Sequence, residues 1–152
     1  MTGAPLPSVD VTIEIPFHDV DSAHVAWHGH YAKYLEIARC ALLDTIEYNY
    51  VDMSASGFFW PVIDMRLRYV GPARFQQKIS VTATLVEWEN RLRIDYMIRD
   101  FVSKKRLTRA STVQVAVRVD NGEMQIASPP VLLEKLGIES GQGGRRQSGD
   151  NR

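Results

Sequence analysis

One stretch of helical spacing is followed by four or five stretches of strand alternation, and this imbalance limits the folds open to the chain. From about His30 to Tyr50, the residues Tyr31, Tyr34, Leu35, Ala38, Leu42 and Ile46 recur at helical spacing. Lys33, Glu36, Arg39 and Glu47 fall mostly on the other side. Ser54, Ser56 and Gly57 then bring loop signals, and everything afterwards reads as strand. Ile63, Met65, Leu67 and Tyr69 alternate with Asp64, Arg66 and Arg68, and Gly71-Pro72 ends that run. Ile79, Val81, Ala83 and Leu85 alternate with Ser80, Thr82 and Thr84 up to a turn at Glu89-Asn90. Leu92, Ile94, Tyr96 and Ile98 alternate with Arg91, Arg93, Asp95 and Arg99. A run over 107–119 places Val113, Val115, Val117 and Val119 on one face, and Asp120-Asn121-Gly122 predicts a hairpin turn. Met124 to Ala127 reads as a short return strand stopped by Pro129-Pro130, and Val131 to Leu136 as one closing helical turn. Ahead of the helix, Val11, Ile13 and Ile15 alternate with Thr12 and Glu14. A sheet with one apolar face and a single long helix to cover it is expected to wrap around that helix. Its edges would be hidden by pairing with a second subunit.

A length of 152 residues suits one compact domain, expected over 9–138. Residues 1–8 read as a loose leader. The tail 139–152, ESGQGGRRQSGDNR, has no large apolar side chain to offset its ordering entropy and is expected to be disordered. With 18 basic and 18 acidic residues the formal net charge is zero, which predicts no general affinity for nucleic acid or an anionic membrane. No apolar run approaches the roughly 20 residues that span a bilayer. MTGAPLPSVD lacks the basic and apolar regions of a signal peptide. A single cysteine, Cys40, excludes an intrachain disulfide and disfavours a cysteine-based zinc site. Together these features point to a cytoplasmic protein, and zero net charge is compatible with oligomer formation.

The stretch FHDVDSAHVAWHGHY, residues 17–31, holds all four histidines (His18, His24, His28, His30) together with Asp19 and Asp21. Three readings compete. Histidine and aspartate are good metal ligands, but their spacing is poor here. His24 and His28 are four apart yet precede the helix, His28 and His30 diverge on a helix, and a strand turns His18 away from both acids. No metal site is therefore expected. The bland reading has His18, His24 and His30 capping, packing or facing solvent. The third reading uses the helix N-terminus, whose unpaired N–H groups and partial positive charge can polarise a carbonyl and hold an oxyanion. A carboxylate beside that carbonyl can attack it or activate water. Asp21 lies a few residues ahead of the helix, and Gly29 permits close backbone approach. A lone aspartate ahead of a helix is more often an N-cap or loop residue, and that is the competing reading of Asp21.

FHDVDSAHVAWHGHYAKYLEIAR resembles the signature of the hotdog-fold acyl-CoA thioesterases of the 4-hydroxybenzoyl-CoA thioesterase type. That signature is an aromatic, a D-x-D element, a run of small or apolar residues, an aromatic, then a short His- or Pro-containing link to Tyr and a helix ending E-x-A-R. Here these are Phe17, Asp19-Val20-Asp21, Trp27, His28, Tyr31 and Glu36 to Arg39. A second block, RLRYVGPARFQQKISVTATLVEWENRLRIDY, is similar to the family's second and third sheet strands, with Pro72-Ala73-Arg74 and Glu87-Trp88 in place. The resemblance covers roughly residues 11–120.

It implies an α+β hotdog fold, a long central helix wrapped by a curved antiparallel sheet of five to six strands. It implies a thioester hydrolase that converts an acyl- or aroyl-CoA to a carboxylic acid and free CoA. It also implies no metal or prosthetic cofactor, and a homodimer or homotetramer whose sites lie between subunits. Asp21 would be the catalytic carboxylate, as nucleophile or as base, and Asp19 a structural tie for the loop. His28 would assist through its side chain, or polarise the thioester through its backbone N–H beside Gly29. Ala23-His24 departs from the family's Ala-Gly or Gly-Gly, so His24 would narrow the site, contact the acyl group or turn outward. Trp27, Tyr31 and Trp60, with Phe58 and Phe59, are pocket candidates that core packing explains equally well. Arg74, Arg91 and Lys104, with Lys105 and Arg106, are candidates for the CoA phosphates, or solvated surface charges. Asp64 is expected to point outward with Arg66 and Arg68. The rival readings are acyl-carrier-protein thioesters, docked on Arg66, Arg68, Arg91 and Arg93; a hotdog dehydratase; and a non-catalytic acyl-CoA-binding module.

Overall fold

The structure is a computed structural model that describes residues 5–138; the tail 139–152 and the first four residues lie outside the described residues. In chain order it contains β1 (Ser8–Glu14), α1 (Tyr31–Thr45), α2 (Tyr50–Ala55), β2 (Phe58–Phe59), β3 (Val62–Tyr69), β4 (Lys78–Glu87), β5 (Leu92–Asp100), β6 (Arg106–Gln114), β7 (Val117–Arg118) and α3 (Pro130–Lys135). The five long strands form an antiparallel sheet in the order β1-β4-β5-β6-β3, and β2 pairs with β7 in a separate ribbon. This is the α+β hotdog arrangement, one long helix held against a five-stranded antiparallel sheet. Leu35, Ala38, Leu42 and Leu43 of α1 are buried against Ile79, Val81, Ala83 and Leu85 of β4 and Ile94, Tyr96 and Ile98 of β5. Burying aliphatic side chains of this size contributes about 1.5–3 kcal/mol each, which makes this layer the main source of stability. None of the helices among the described residues is long and apolar enough to cross a membrane.

Three local expectations change. The helix does not run unbroken to Tyr50. It stops at Thr45, Glu47 takes φ +54, and α2 starts afresh at Tyr50. Asn49 causes the restart: its side chain accepts from the Tyr50 N–H at 2.8 Å, and Asp52 accepts from the Asn49 N–H at 3.1 Å. This reciprocal cap satisfies donors that a continuous helix would pair internally. The run over 107–119 also divides. Thr112 to Ala116 are all buried, the Gln114 amide donates to the Trp60 carbonyl at 2.7 Å, and the chain then pairs β7 with β2. The Asp120-Asn121-Gly122 turn forms with Gly122 at φ +69, but its return is a single bridge, Val117 to Met124.

The third difference concerns β3. Met65, Leu67 and Tyr69 are its helix-side residues by register, opposite Thr112, Ala110 and Thr108 of β6, yet only Leu67 is half-buried; Met65 and Tyr69 are 45 and 46% exposed, and Ile63, at the bulge, is 57% exposed. The helix packs mainly on β1 and β4 and leaves most of this edge uncovered.

Candidate active site

The loop between β1 and α1 is built on a buried carboxylate. Asp19 ends a 3-10 turn over Phe17–Asp19 and is 2% exposed. It accepts from Lys33 Nζ at 2.6 Å and from the Tyr34 hydroxyl at 2.7 Å, both on the first turn of α1. Burial alone would raise its pKa, but those hydrogen bonds and the Lys33 charge outweigh it and hold the carboxyl below its usual range. Burial and the adjacent carboxylate push the Tyr34 hydroxyl upward, so it remains a neutral donor. The Asp19 carbonyl accepts from the Trp27 N–H at 2.9 Å. One residue thus fixes both ends of the loop, in line with the structural tie the resemblance implied for Asp19.

Between those anchors the chain makes a tight hairpin closed by a Val20–Ala26 bridge. The Asp21 N–H donates to the Val25 carbonyl at 3.0 Å, and the His24 N–H to the Asp21 carbonyl at 2.9 Å. The Asp21 carboxylate accepts from the Ala23 N–H at 2.8 Å, which sets its orientation and leaves the side chain exposed. His24 takes φ +63, a left-handed conformation that asparagine, aspartate and histidine adopt more readily than most residues. The hairpin is docked by the Ala26 N–H to the Ala73 carbonyl at 2.7 Å and by a Val25–Arg74 bridge.

Asp21, His28, Tyr31 and Tyr69 line one cavity of about 300 Å³, walled by Val25 and Gly71-Pro72. His28 and Gly29 form a 3-10 turn with His30 directly ahead of α1. Among the described residues the N–H groups of His28 and Gly29 have no hydrogen-bond acceptor. The His28 carbonyl accepts from the Tyr69 hydroxyl at 2.7 Å, and the Tyr69 ring stands edge-on to Tyr31 at 5.0 Å. Tyr69 is the site residue that the sequence pattern conceals, because it reads there only as the last apolar position of a strand. Gly29 also meets a packing requirement: a Cβ there would lie 2.2 Å from the Trp27 ring. Trp27 itself packs on His28 and His30, with ring centroids 5.0 and 5.3 Å away, and does not line the cavity.

Other candidates are dispersed within the chain. His24 lies on the hairpin but not in the cavity wall. Trp60 belongs to the core, 4% exposed, with its indole N–H donating to the Tyr48 hydroxyl at 3.3 Å. Arg91 is tied to Glu87 at 3.0 Å in the β4–β5 turn. Arg74 lies just ahead of the other end of β4, and ten residues of strand, about 30 Å, separate the two. Lys104 sits over the Phe101 ring at 4.8 Å and donates to the Phe101 carbonyl at 2.7 Å. Lys105, not Lys104, joins Arg74 in lining a second cavity, which shares Gly71 and Pro72 with the first. Asp100 also lines it, but hydrogen bonds from Ser103 and Gln77 occupy that carboxylate and hold its pKa down at about 2. Asp64 does point outward, 3.2 Å from Arg66. Among the described residues no three His, Cys, Asp or Glu side chains converge as a metal ion would require.

A family model described as "Thioesterase-like superfamily" matches residues 15–136. A candidate esterase of Synechocystis sp. is 27% identical over 128 residues, covering 84% of this chain and 77% of its own. A 1,4-dihydroxy-2-naphthoyl-CoA thioesterase from Synechocystis superposes with a TM-score of 0.76 at 18% identity, covering 86% of this chain and 96% of that one. The structure of a 4-hydroxybenzoyl-CoA thioesterase, an aspartate-to-asparagine mutant complexed with 4-hydroxybenzoyl-CoA, superposes with a TM-score of 0.74 at 16% identity, covering 86% and 99%. At such identities these two structures speak for the fold. With a family match that runs from the end of the first strand to the closing helix, the chain belongs to the thioesterase-like superfamily and is a thioester hydrolase of hotdog fold.

Proposed function

We propose that the substrate is an acyl- or aroyl-CoA, hydrolysed to the carboxylic acid and free CoA with Asp21 as the catalytic carboxylate. The observation that carries this reading is the single cavity where Asp21 faces a helix start whose first N–H groups are unpaired. The thioester carbonyl oxygen would accept from the N–H groups of His28 and Gly29, which stabilise negative charge as it develops there. Asp21 then either takes a proton from a water that attacks the carbonyl carbon, or attacks that carbon itself to form an anhydride that water opens. In both routes the tetrahedral oxyanion collapses, the C–S bond breaks, and the thiolate leaves and is protonated. No step calls for a metal or a prosthetic group.

Tyr69 holds the carbonyl side of the His28 peptide and so fixes the direction of the adjoining N–H groups. Arg74 and Lys105 line the adjoining cavity, where in this reading they would meet the CoA phosphates. The neighbours whose names specify aroyl-CoA substrates support the aryl end of the substrate range.

The active unit in this reading is a homodimer. β3 is a bare edge strand with an exposed apolar stripe, and its last residue, Tyr69, lines the cavity. A second copy paired along β3 would cover the stripe and enclose the site. Thiol release from a panel of acyl-CoA and aroyl-CoA thioesters, run with and without chelator, tests the substrate class. Turnover indifferent to chelator supports it; a wild-type protein that cleaves no CoA thioester contradicts it.

A further inference from the structure

One end of the sheet carries a surface that the catalytic reading does not use. Three segments meet there: the exit of β1, the β3–β4 loop and the β5–β6 turn. The Ile15 N–H donates to the Gln77 carbonyl and the Gln76 N–H to the Ile15 carbonyl, both at 3.0 Å. The Gln77 amide donates to the Asp100 carboxylate at 2.8 Å. Asp100 also accepts from the Val102 and Ser103 N–H groups at 3.1 and 2.7 Å, which holds the turn in one shape. Turn tips normally carry glycine or small polar residues. Here the tip is Phe101-Val102, and Val102 is 84% exposed. On the other two segments Phe17, 75% exposed, stands edge-on to Phe75 with ring centroids 5.6 Å apart. Phe75 and Ser103 both line the second cavity, so the two apolar groups adjoin it. The same end is basic. The stretch RDFVSKKR, 99–106, sets Arg99, Lys104, Lys105 and Arg106 against one carboxylate, Asp100, which its hydrogen bonds occupy. Arg99 and Arg106 oppose each other directly across the β5–β6 ladder, a like-charge pairing that destabilises a sheet. A zero net charge over the whole chain conceals this local excess.

We propose that this end of the sheet is a docking surface for an anionic lipid bilayer. Exposed aromatic and aliphatic side chains set among lysines and arginines match a bilayer interface. The apolar groups enter the boundary between headgroups and acyl chains, and the cations meet the lipid phosphates. Lys104, held 4.8 Å over the Phe101 ring, joins both features in one turn. Lys104 and Arg106 lie outside the wall of the second cavity and so serve headgroups without competing for a ligand bound in it. An anionic surface would also relieve the repulsion between Arg99 and Arg106. The apolar side chains project from separate segments, and a deformable lipid surface can accept all of them together. A second copy of this chain fits less well. A two-fold contact would set this basic surface against itself, and like charges repel. The stripe assigned to subunit pairing runs along β3, whereas Phe17 follows β1, the opposite edge strand. A chain docked in this way would hold the second cavity, and the Asp21 cavity that shares Gly71 and Pro72 with it, close to the lipid surface. The docking does not depend on which thioester is cleaved.

Co-sedimentation with vesicles tests the proposal on the whole chain, on Val102→Asp, and on Phe101→Ser combined with Val102→Asp. The vesicles are pure phosphatidylcholine or an equimolar mixture with phosphatidylglycerol. Sedimentation velocity without lipid, circular dichroism and hydrolysis of a short, soluble CoA thioester accompany the binding. The wild type is expected to bind the mixed vesicles, to leave them at high salt, and to bind pure phosphatidylcholine at least about tenfold more weakly. Val102→Asp is expected to weaken binding to the mixed vesicles about tenfold, and the double variant further, with fold, oligomeric size and soluble turnover unchanged. Val102 is so exposed that its replacement alone leaves the core intact, which keeps the test valid if the double variant misfolds. Absence of binding, equal binding to both vesicles, or binding that Val102→Asp leaves intact would overturn the proposal. So would a change of oligomeric size in Val102→Asp without lipid, which would make the patch a contact between copies. Lipid binding by a protein that cleaves no CoA thioester would uphold the docking surface and overturn the acyl-CoA reading. Turnover with no lipid binding would do the reverse.

Discussion

Asp19 and Asp21 sit two residues apart and do unlike things, and their surroundings explain why. Asp19 is enclosed by Lys33 and Tyr34, with nothing left to offer a substrate. Asp21 is exposed, held only by the Ala23 N–H, and faces the cavity. The pKa of Asp19 is depressed in the folded state, so the pair stabilises the fold above the ordinary value of 3.8 and that contribution fades as pH falls below it. Asp19→Asn should therefore cost about 1.5–3 kcal/mol at neutral pH, the range for hydrogen bonds to a charged group, and flatten the fall in melting temperature as pH drops below 3.8. Acid scans by circular dichroism would show it. Tyr69→Phe removes one hydrogen bond, to the His28 carbonyl. Through its effect on the neighbouring N–H groups it should lower kcat about tenfold and leave KM within about threefold, with little change in melting temperature. A fall in stability with kcat unchanged would make Tyr69 merely structural.

At the scale of elements, sequence and structure agree where a pattern is local and long. The α1 periodicity and the alternations of β4 and β5 are plain in the chain, and those elements form the core. The break between α1 and α2 was legible too, but in a different signal: Asn49 with Asp52 three residues on outweighs the helical spacing that Ile46 continues. Asn49→Ala should cost about 1 kcal/mol, read as a lower midpoint in urea unfolding. The division of the 107–119 run was not legible, because the Gln114 contact to Trp60 joins residues more than fifty apart. The same limit scattered Trp60 and Arg91 away from the cavity and hid Tyr69. Its partner, His28, is 41 residues away in sequence, and no spacing rule connects them.

For the molecule as a whole, the unfinished part is β3. One sheet edge is β1, a short strand tied along its length to β4; the other exposes Ile63, Met65 and Tyr69 beside the cavity. Exposed apolar edge strands are normally covered. Met65→Lys should shift sedimentation from dimer towards monomer and lower thioesterase activity with it, without unfolding the chain. A fully active monomer would show that the site is complete in one copy.

The most direct test of the account is thiol release by wild type and Asp21→Asn on the best CoA thioester of the panel, with circular dichroism confirming that both are folded. Loss of a positioned acid/base group typically costs about 10²- to 10⁴-fold. Asp21→Asn is expected to lower kcat at least about a hundredfold with substrate still bound. Full activity in a folded Asp21→Asn protein would contradict it and move the carboxylate, and with it the mechanism, elsewhere.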